Sequence, residues 1–355
     1  MVPSPASTPS TGPFLSGCEA TYSTPSPSLE DAQSAWFLKP DTWRIVRMST
    51  IPNRPMNTGM IEEYLSAMQS WLEEWSRSGC NTFMHRQLYT SRIPTPIGDA
   101  FTTLVAYFHR TPATEQMVFR IIEDRILELV ETQGWQAGQH EPLDVMGHLS
   151  RVQAMIAYLI IGLFHGNIRL RHVADTNLPL LVSWCQQMLE AAALAASNGQ
   201  LLHSEMCNAL VLISSETATV PLPPQAELQA TWGRLGVAEK ETALWHAWVV
   251  AESVRRAWLT ARSVECIYLL LRDRAGICPG GLVFTMRRSV WAADSAFAWA
   301  KACAEADVEF LHIWETDRLC VRPNSDAIDE FAKVMIKLNF RTDRASQWVG
   351  GGCGG

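Results

Sequence analysis

The side chains able to do chemistry are present but scattered. Nine histidines and nine cysteines are spread over 355 residues. No HExxH, GxSxG or GxxxxGK pattern occurs, and the tail glycines at 350–355, which fit GxGxxG, lack the strand-to-helix context that would cradle a phosphate. The local arrangements that hold a catalytic zinc, expose a nucleophilic serine or cradle a phosphate therefore have no starting point. His165 and His172 lie seven apart, with Asn167 and a charged turn between them. His85 is the most suggestive histidine, because FMHRQLY places it in a loop flanked by aromatics. Packing is nevertheless the expected role for His85, as for His148, His165 and His246. The closest cysteines, Cys266 and Cys278, are 12 apart, and no CxxC exists, so no zinc finger or zinc cluster can be built locally. An odd number of dispersed cysteines in a long chain without a secretory signal points to free thiols in a reducing compartment. Cys266 lies in an apolar helical stretch and is expected to be inert through burial.

Carboxylates lead to the same place. An all-helical enzyme handling a diphosphate needs paired acids to hold magnesium, yet DDxxD is absent. Glu62–Glu63, Glu73–Glu74 and Glu123–Asp124 read as solvated surface. No residue is assigned a catalytic, cofactor-binding or metal-binding role, and no cofactor is expected. Net charge is −7. Nucleic-acid binding requires a cluster of Lys and Arg against the phosphates. The densest basic spots are only Arg255–Arg256 and Arg287–Arg288, so the chain is not expected to grip DNA by itself.

The elements follow from hydrophobic spacing. Residues 239–272 read EKETALWHAWVVAESVRRAWLTARSVECIYLLLR. Apolar residues recur at helical intervals without Pro or Gly, which predicts one long helix. Trp245, Trp248 and Trp258 give it a large apolar area, since a buried aromatic ring removes about 150–250 Å² from water. It is the expected centre of the domain. Glu252, Arg255 and Arg256 fall on its other arc, read as an exposed face bearing a structural ion-pair network. Other helices are predicted over 58–78, 97–109, 113–132, 142–166, 177–196, 199–212, 286–306 and 326–338. The apolar run AMIAYLIIGLF at 154–164 is about half the roughly 20 residues of a bilayer span; it reads as a buried helix, and no membrane partner is expected.

Between the helices, residues 36–46 read as a docked extended arm, and 308–321 as a loop or short helix. Sustained period-two alternation is missing, so strands are not expected. Seventeen of the first thirty residues are Pro, Ser or Thr, which predicts a disordered tail. The fold class is all-α: a multi-helix bundle with that Pro/Ser/Thr-rich tail over 1–35, one domain over 36–345 with a long loop at 215–230, and a Gly-rich tail at 346–355.

Three blocks carry a resemblance. WLEEWSRSGCNTFMHRQLY (71–89), running on into IGDAFTTLVAYFHRTPATEQMVFRIIEDR (97–125), is similar to a WL..W...G...FIH..LY pattern and the helices after it. LWHAWVVAESVRRAW (244–258) is similar to W..W...ES.RR, departing at Val254 and Ala257. Cys278 is followed by VWAADSAFAWAKAC (290–303). In this order the blocks resemble the regulatory (middle homology) domain of fungal binuclear zinc cluster transcription factors. The resemblance implies an all-α domain in the nucleus, working with the transcription machinery, often on a specialised-metabolite gene cluster, and sometimes as a dimer. The six-cysteine zinc cluster of that family is missing, since only Cys18 precedes Cys80. The expectation is a regulator or co-regulator acting through protein contacts, either alone beside a DNA-binding partner or as part of a longer product. The rival expectations are an all-α biosynthetic enzyme and a non-catalytic helical adaptor.

Overall fold

The computed structural model describes residues 35–46, 58–133, 143–202, 232–233, 235–274, 280–305, 310–312 and 327–339. The expected tails, the loop at 215–230 and most of the helix at 199–212 lie outside these residues. The architecture is all-α.

Helix α1 (Thr58–Ser78) ends where Gly79 takes a positive φ of 73° and its N–H bonds the Trp75 carbonyl at 2.9 Å. Glycine stops a helix here because the left-handed conformation has no Cβ penalty. Helix α2 spans Thr95–Phe108, with Pro96 in its first turn, and α3 spans Glu115–Gln133. Helix α4 (Val145–Ile160) starts at Asp144, whose carboxylate accepts from the Gly147 N–H at 2.7 Å, and runs into a π-turn, Ile161–His165. Every residue from 149 to 161 is buried. By length and composition Val145–His165 could cross a membrane, but 83% of its most apolar window is packed inside the protein.

Helix α5 (Ile168–Ser197) begins nine residues before its predicted start and carries Pro179 in its interior. A proline biases a chain against helix without forbidding it. The Asn167 side chain caps the earlier start, accepting from Leu170 N–H at 2.8 Å. Gly162 lets α4 and α5 approach closely: a Cβ there would lie 2.6 Å from the Ala174 Cβ. Arg151 on α4 donates to the last carbonyl of α3, Gln133, at 2.9 Å. A cation there complements the negative end of the helix dipole.

Helix α6 (Val237–Asp273) is the long central element. It packs against α4 and α5, so the middle of the domain is shared between α4 and α6. After it the structure departs from the predicted pattern. Residues 283–285 form a strand, β1 (Val283–Thr285), paired antiparallel with β2 (Phe310–His312) in the register Val283↔His312 and Thr285↔Phe310. Strands of three residues are too short to show an alternation in sequence. The single helix expected over 286–306 is two: α7 (Arg288–Trp291) and α8 (Ala296–Ala304). Ser295 separates them, its hydroxyl accepting from the Ala298 N–H, the ordinary behaviour of serine at a helix start. Helix α9 (Glu330–Asn339) packs on α1. The arm at 35–46 is not extended: it makes two 3-10 turns, Trp36–Leu38 and Pro40–Trp43, then bridges to the chain after α6 through Val46 and Gly281. One hydrophobic core runs from Phe37 to Ile336.

Candidate functional site: a buried ion cluster in the central helix

The feature that most distinguishes this domain is charge at its centre. Residues 247–261 of α6 are all buried, including Glu252, Arg255 and Arg256, each 0% exposed. The exposed face expected for these three does not exist. The ion-pair network does, but it is inside. Helix periodicity could not show this, because the covering elements come from distant parts of the chain.

Each guanidinium has a different clientele. Arg255 donates to the carbonyl of Phe37, to the Thr42 carbonyl at 3.3 Å and to the Thr42 hydroxyl at 3.0 Å. It also lies over the Trp43 ring, 4.4 Å from its centroid. Arg255 thus holds the N-terminal arm. Arg256 donates to the Thr82 carbonyl and the Thr285 carbonyl, both at 2.8 Å, and to the Asp329 carboxylate. It sits 3.7 Å from the Trp291 ring centroid and 4.9 Å from that of Phe331. Arg256 thus gathers the loop after α1, strand β1, α7 and the entry to α9. Glu252 stands between them. One oxygen accepts from Arg256 at 3.1 Å and from the Thr285 N–H at 2.7 Å; the other meets Arg255 at 3.5 Å. Both backbone groups of Thr285 are therefore satisfied by side chains of α6.

Asp329 closes the cluster. Its second oxygen accepts from the Ala332 N–H at 2.7 Å, capping α9. Burial pushes its carboxyl above the usual range, against the pull of Arg256. Burial also lowers Arg255 to about 10, which leaves it cationic at neutral pH. Among the described residues, two guanidinium groups face two carboxyl groups. Desolvating four charges costs several kcal/mol per ion before pairing offsets it. Removing one partner of such a pair leaves an uncompensated buried charge, at a cost of about 3–5 kcal/mol.

The three blocks of the resemblance meet around this turn of helix. His85, from the first, lies edge-on to Trp245 and Trp248 of the second and to Trp291 of the third, with centroids 6.3, 6.1 and 4.9 Å away. Its Nδ1 accepts from the Gln87 N–H at 3.1 Å, so the neutral ring carries its proton on Nε2. Nε2 faces the Trp291 backbone without a well-formed hydrogen bond. Burial lowers His85 to about 4, and Arg256, Arg86 and His246 add to that. A proton-transfer role would need the ring poised near neutrality; this one is packed and neutral. Trp299 of the third block joins Trp248 at 5.8 Å and reaches Phe37 of the arm at 6.2 Å.

The other candidates do not assemble. His148 is also lowered to about 4 by burial and by Arg151, and His165 is half-buried. Burial holds Cys185 and Cys303 up at about 12, so both stay protonated. Cys266 is half-buried rather than fully buried, and Cys278 lies outside the described residues. Glu123 is not on the surface: it is buried and paired with Arg169 at 2.7 Å. Among the described residues no three His, Cys, Asp or Glu side chains converge on a metal position. A cleft of about 520 Å³ between α1 and α9 is lined by Met60, Tyr64, Val334 and Leu338, with Ser66 and Ser70 and no histidine to activate a hydroxyl.

Sequence reasoning found the two arginines and Glu252 but missed Thr42, Thr285 and Asp329. Thr42 and Thr285 contribute backbone groups as well, which no residue type signals. Asp329 is a single acid in a stretch with other acids nearby.

The domain is all-helical, and the three blocks of the resemblance meet at one buried hub. The chain is 23% identical over 279 residues to the transcription factor gsfR2 of Penicillium aethiopicum, a match covering 78% of this chain and 58% of the relative. The chain thus spans less than two thirds of the curated relative it matches. No family model matches the chain, and no solved structure matches it.

Proposed function

We propose that this protein is a nuclear transcriptional regulator or co-regulator that acts through protein contacts and controls a specialised-metabolite gene cluster. The observation that carries the reading is the similarity to a transcription factor over 78% of the chain. The convergence of the three resemblance blocks on one buried hub supports it, because it gives those blocks a shared physical task. The basic pair that could have met phosphates, Arg255–Arg256, is enclosed in the fold, which favours a protein partner as the route to promoters. A DNA-binding protein or the transcription machinery is the partner class that fits.

The test is a tethering experiment. The full chain is fused to an unrelated DNA-binding domain and a reporter is read in a fungal host. A reporter level raised or lowered relative to the DNA-binding domain alone supports the proposal. A level unchanged by the fusion, with the fusion shown to be present in the nucleus, counts against it.

A further inference from the structure

The arm at 35–46 and the segment 327–339 sit at opposite ends of the described sequence, yet both close on one turn of α6. Arg255 and Arg256 are adjacent, fully buried and share Glu252. We infer that docking of the N-terminal arm and docking of the C-terminal helix are coupled through Glu252, so that releasing one loosens the other. This rests on the reading of the chain as a regulatory domain, for which it supplies a mechanism.

The reason is charge balance. With both segments docked, two guanidinium groups face two carboxylates. If the C-terminal segment leaves, Asp329 goes with it, and among the described residues Glu252 is the carboxylate left facing both guanidinium groups. The relief nearest to hand is to let Arg255 reach water, which undocks the arm from Phe37 and Thr42. If the arm leaves first, Arg255 follows it to water. Glu252 and Asp329 then share Arg256 alone. Their mutual repulsion, already acting on Asp329, disfavours the docked carboxylate. Coupling of this kind is reciprocal, and its usual size is about 5- to 150-fold in an equilibrium. A second contact chain runs parallel, from Phe37 through Trp299 and Trp248 to Trp291, which stacks on Arg256.

Hydrogen exchange on the full chain tests this from both sides. The Leu38 and Thr42 amides report the arm, through their bonds to Ala35 and Lys39. The Asp329 and Ala332 amides report the C-terminal segment, through Met286 and the Asp329 carboxylate. In Asp329→Asn, exchange of the two arm amides is expected to speed up by about fivefold or more, while amides in α4 hold their rates. In Thr42→Val, the same acceleration is expected at Asp329 and Ala332. Should Asp329→Asn fail to fold, Thr42→Val decides. Arm amides unchanged in Asp329→Asn, or C-terminal amides unchanged in Thr42→Val, would overturn the coupling. Lost coupling together with an active tethered fusion sinks this inference alone; intact coupling with an inert fusion sinks the functional proposal alone.

Discussion

At the scale of single residues, the account rests on what a guanidinium can do that an ammonium cannot. Arg256 serves Glu252, Asp329 and two backbone carbonyls at once while stacking between Trp291 and Phe331. A lysine has three donors on a point charge and no flat face. Arg256→Lys is expected to lower the unfolding free energy by about 2 kcal/mol or more, measured by urea titration. A change under ~0.5 kcal/mol would show that the fork is not needed. His85 makes a separate prediction with a definite sign. Its folded ring titrates at about 4, against an ordinary 6.5. The unfolded state therefore binds the proton first, and stability present above pH 6.5 is lost as pH falls towards 4. For this buried ring the loss amounts to ~3 kcal/mol. Asp329 runs the other way, since burial raises its carboxyl, and does not add to the acid loss. His85→Gln should reduce the slope of unfolding free energy between pH 6.5 and 4, leaving the part that His148, also lowered to about 4, contributes; an unchanged slope would remove His85 from the account.

At the scale of elements, close approach and caps decide the boundaries. Gly162 sits where α4 and α5 are too near for a side chain. Gly162→Ala should destabilise the domain by about 1–3 kcal/mol, and adding Ala174→Gly should restore much of the loss. If the second change adds its own penalty instead, the contact with Ala174 is not the limiting one. The sequence made some elements plain and hid others for identifiable reasons. Helix α1 was legible to the residue because apolar spacing and Gly79 agree. The start of α5 was less so: Pro179 masked a helix already capped by Asn167. Ser295 carries a capping signal, but it stands inside an alanine-rich run whose spacing reads as one helix. Strand β1 carried no local signal, since what fixes it is the grip of Glu252 and Arg256 on Thr285. The hub itself was half legible: its charged residues stand together in α6, but their burial depends on the arm and on Asp329, 73 residues beyond Arg256.

At the scale of the whole molecule, two long helices form a centre, and the arm at 35–46 and α9 close over it. The N-terminal arm, the loop after α1, strand β1 and the start of α9 share few direct bonds, chiefly Val46 with Gly281 and Asp329 with Met286. They meet because α6 offers each a charged or aromatic partner. The arm and α9 therefore meet the same turn of helix. The fold class was legible from spacing, and the proposed function starts from the three blocks. The purpose of those blocks emerged only when the structure placed His85, Trp248, Arg256 and Trp291 side by side.

The central claim, that the protein regulates transcription of a gene cluster, is tested most directly by a transcript profile of the source organism with this gene deleted. The account predicts that transcripts from one contiguous set of genes are lost or gained. Transcripts left unchanged, alongside a missing or truncated metabolite, would contradict it and point to an enzyme of the pathway.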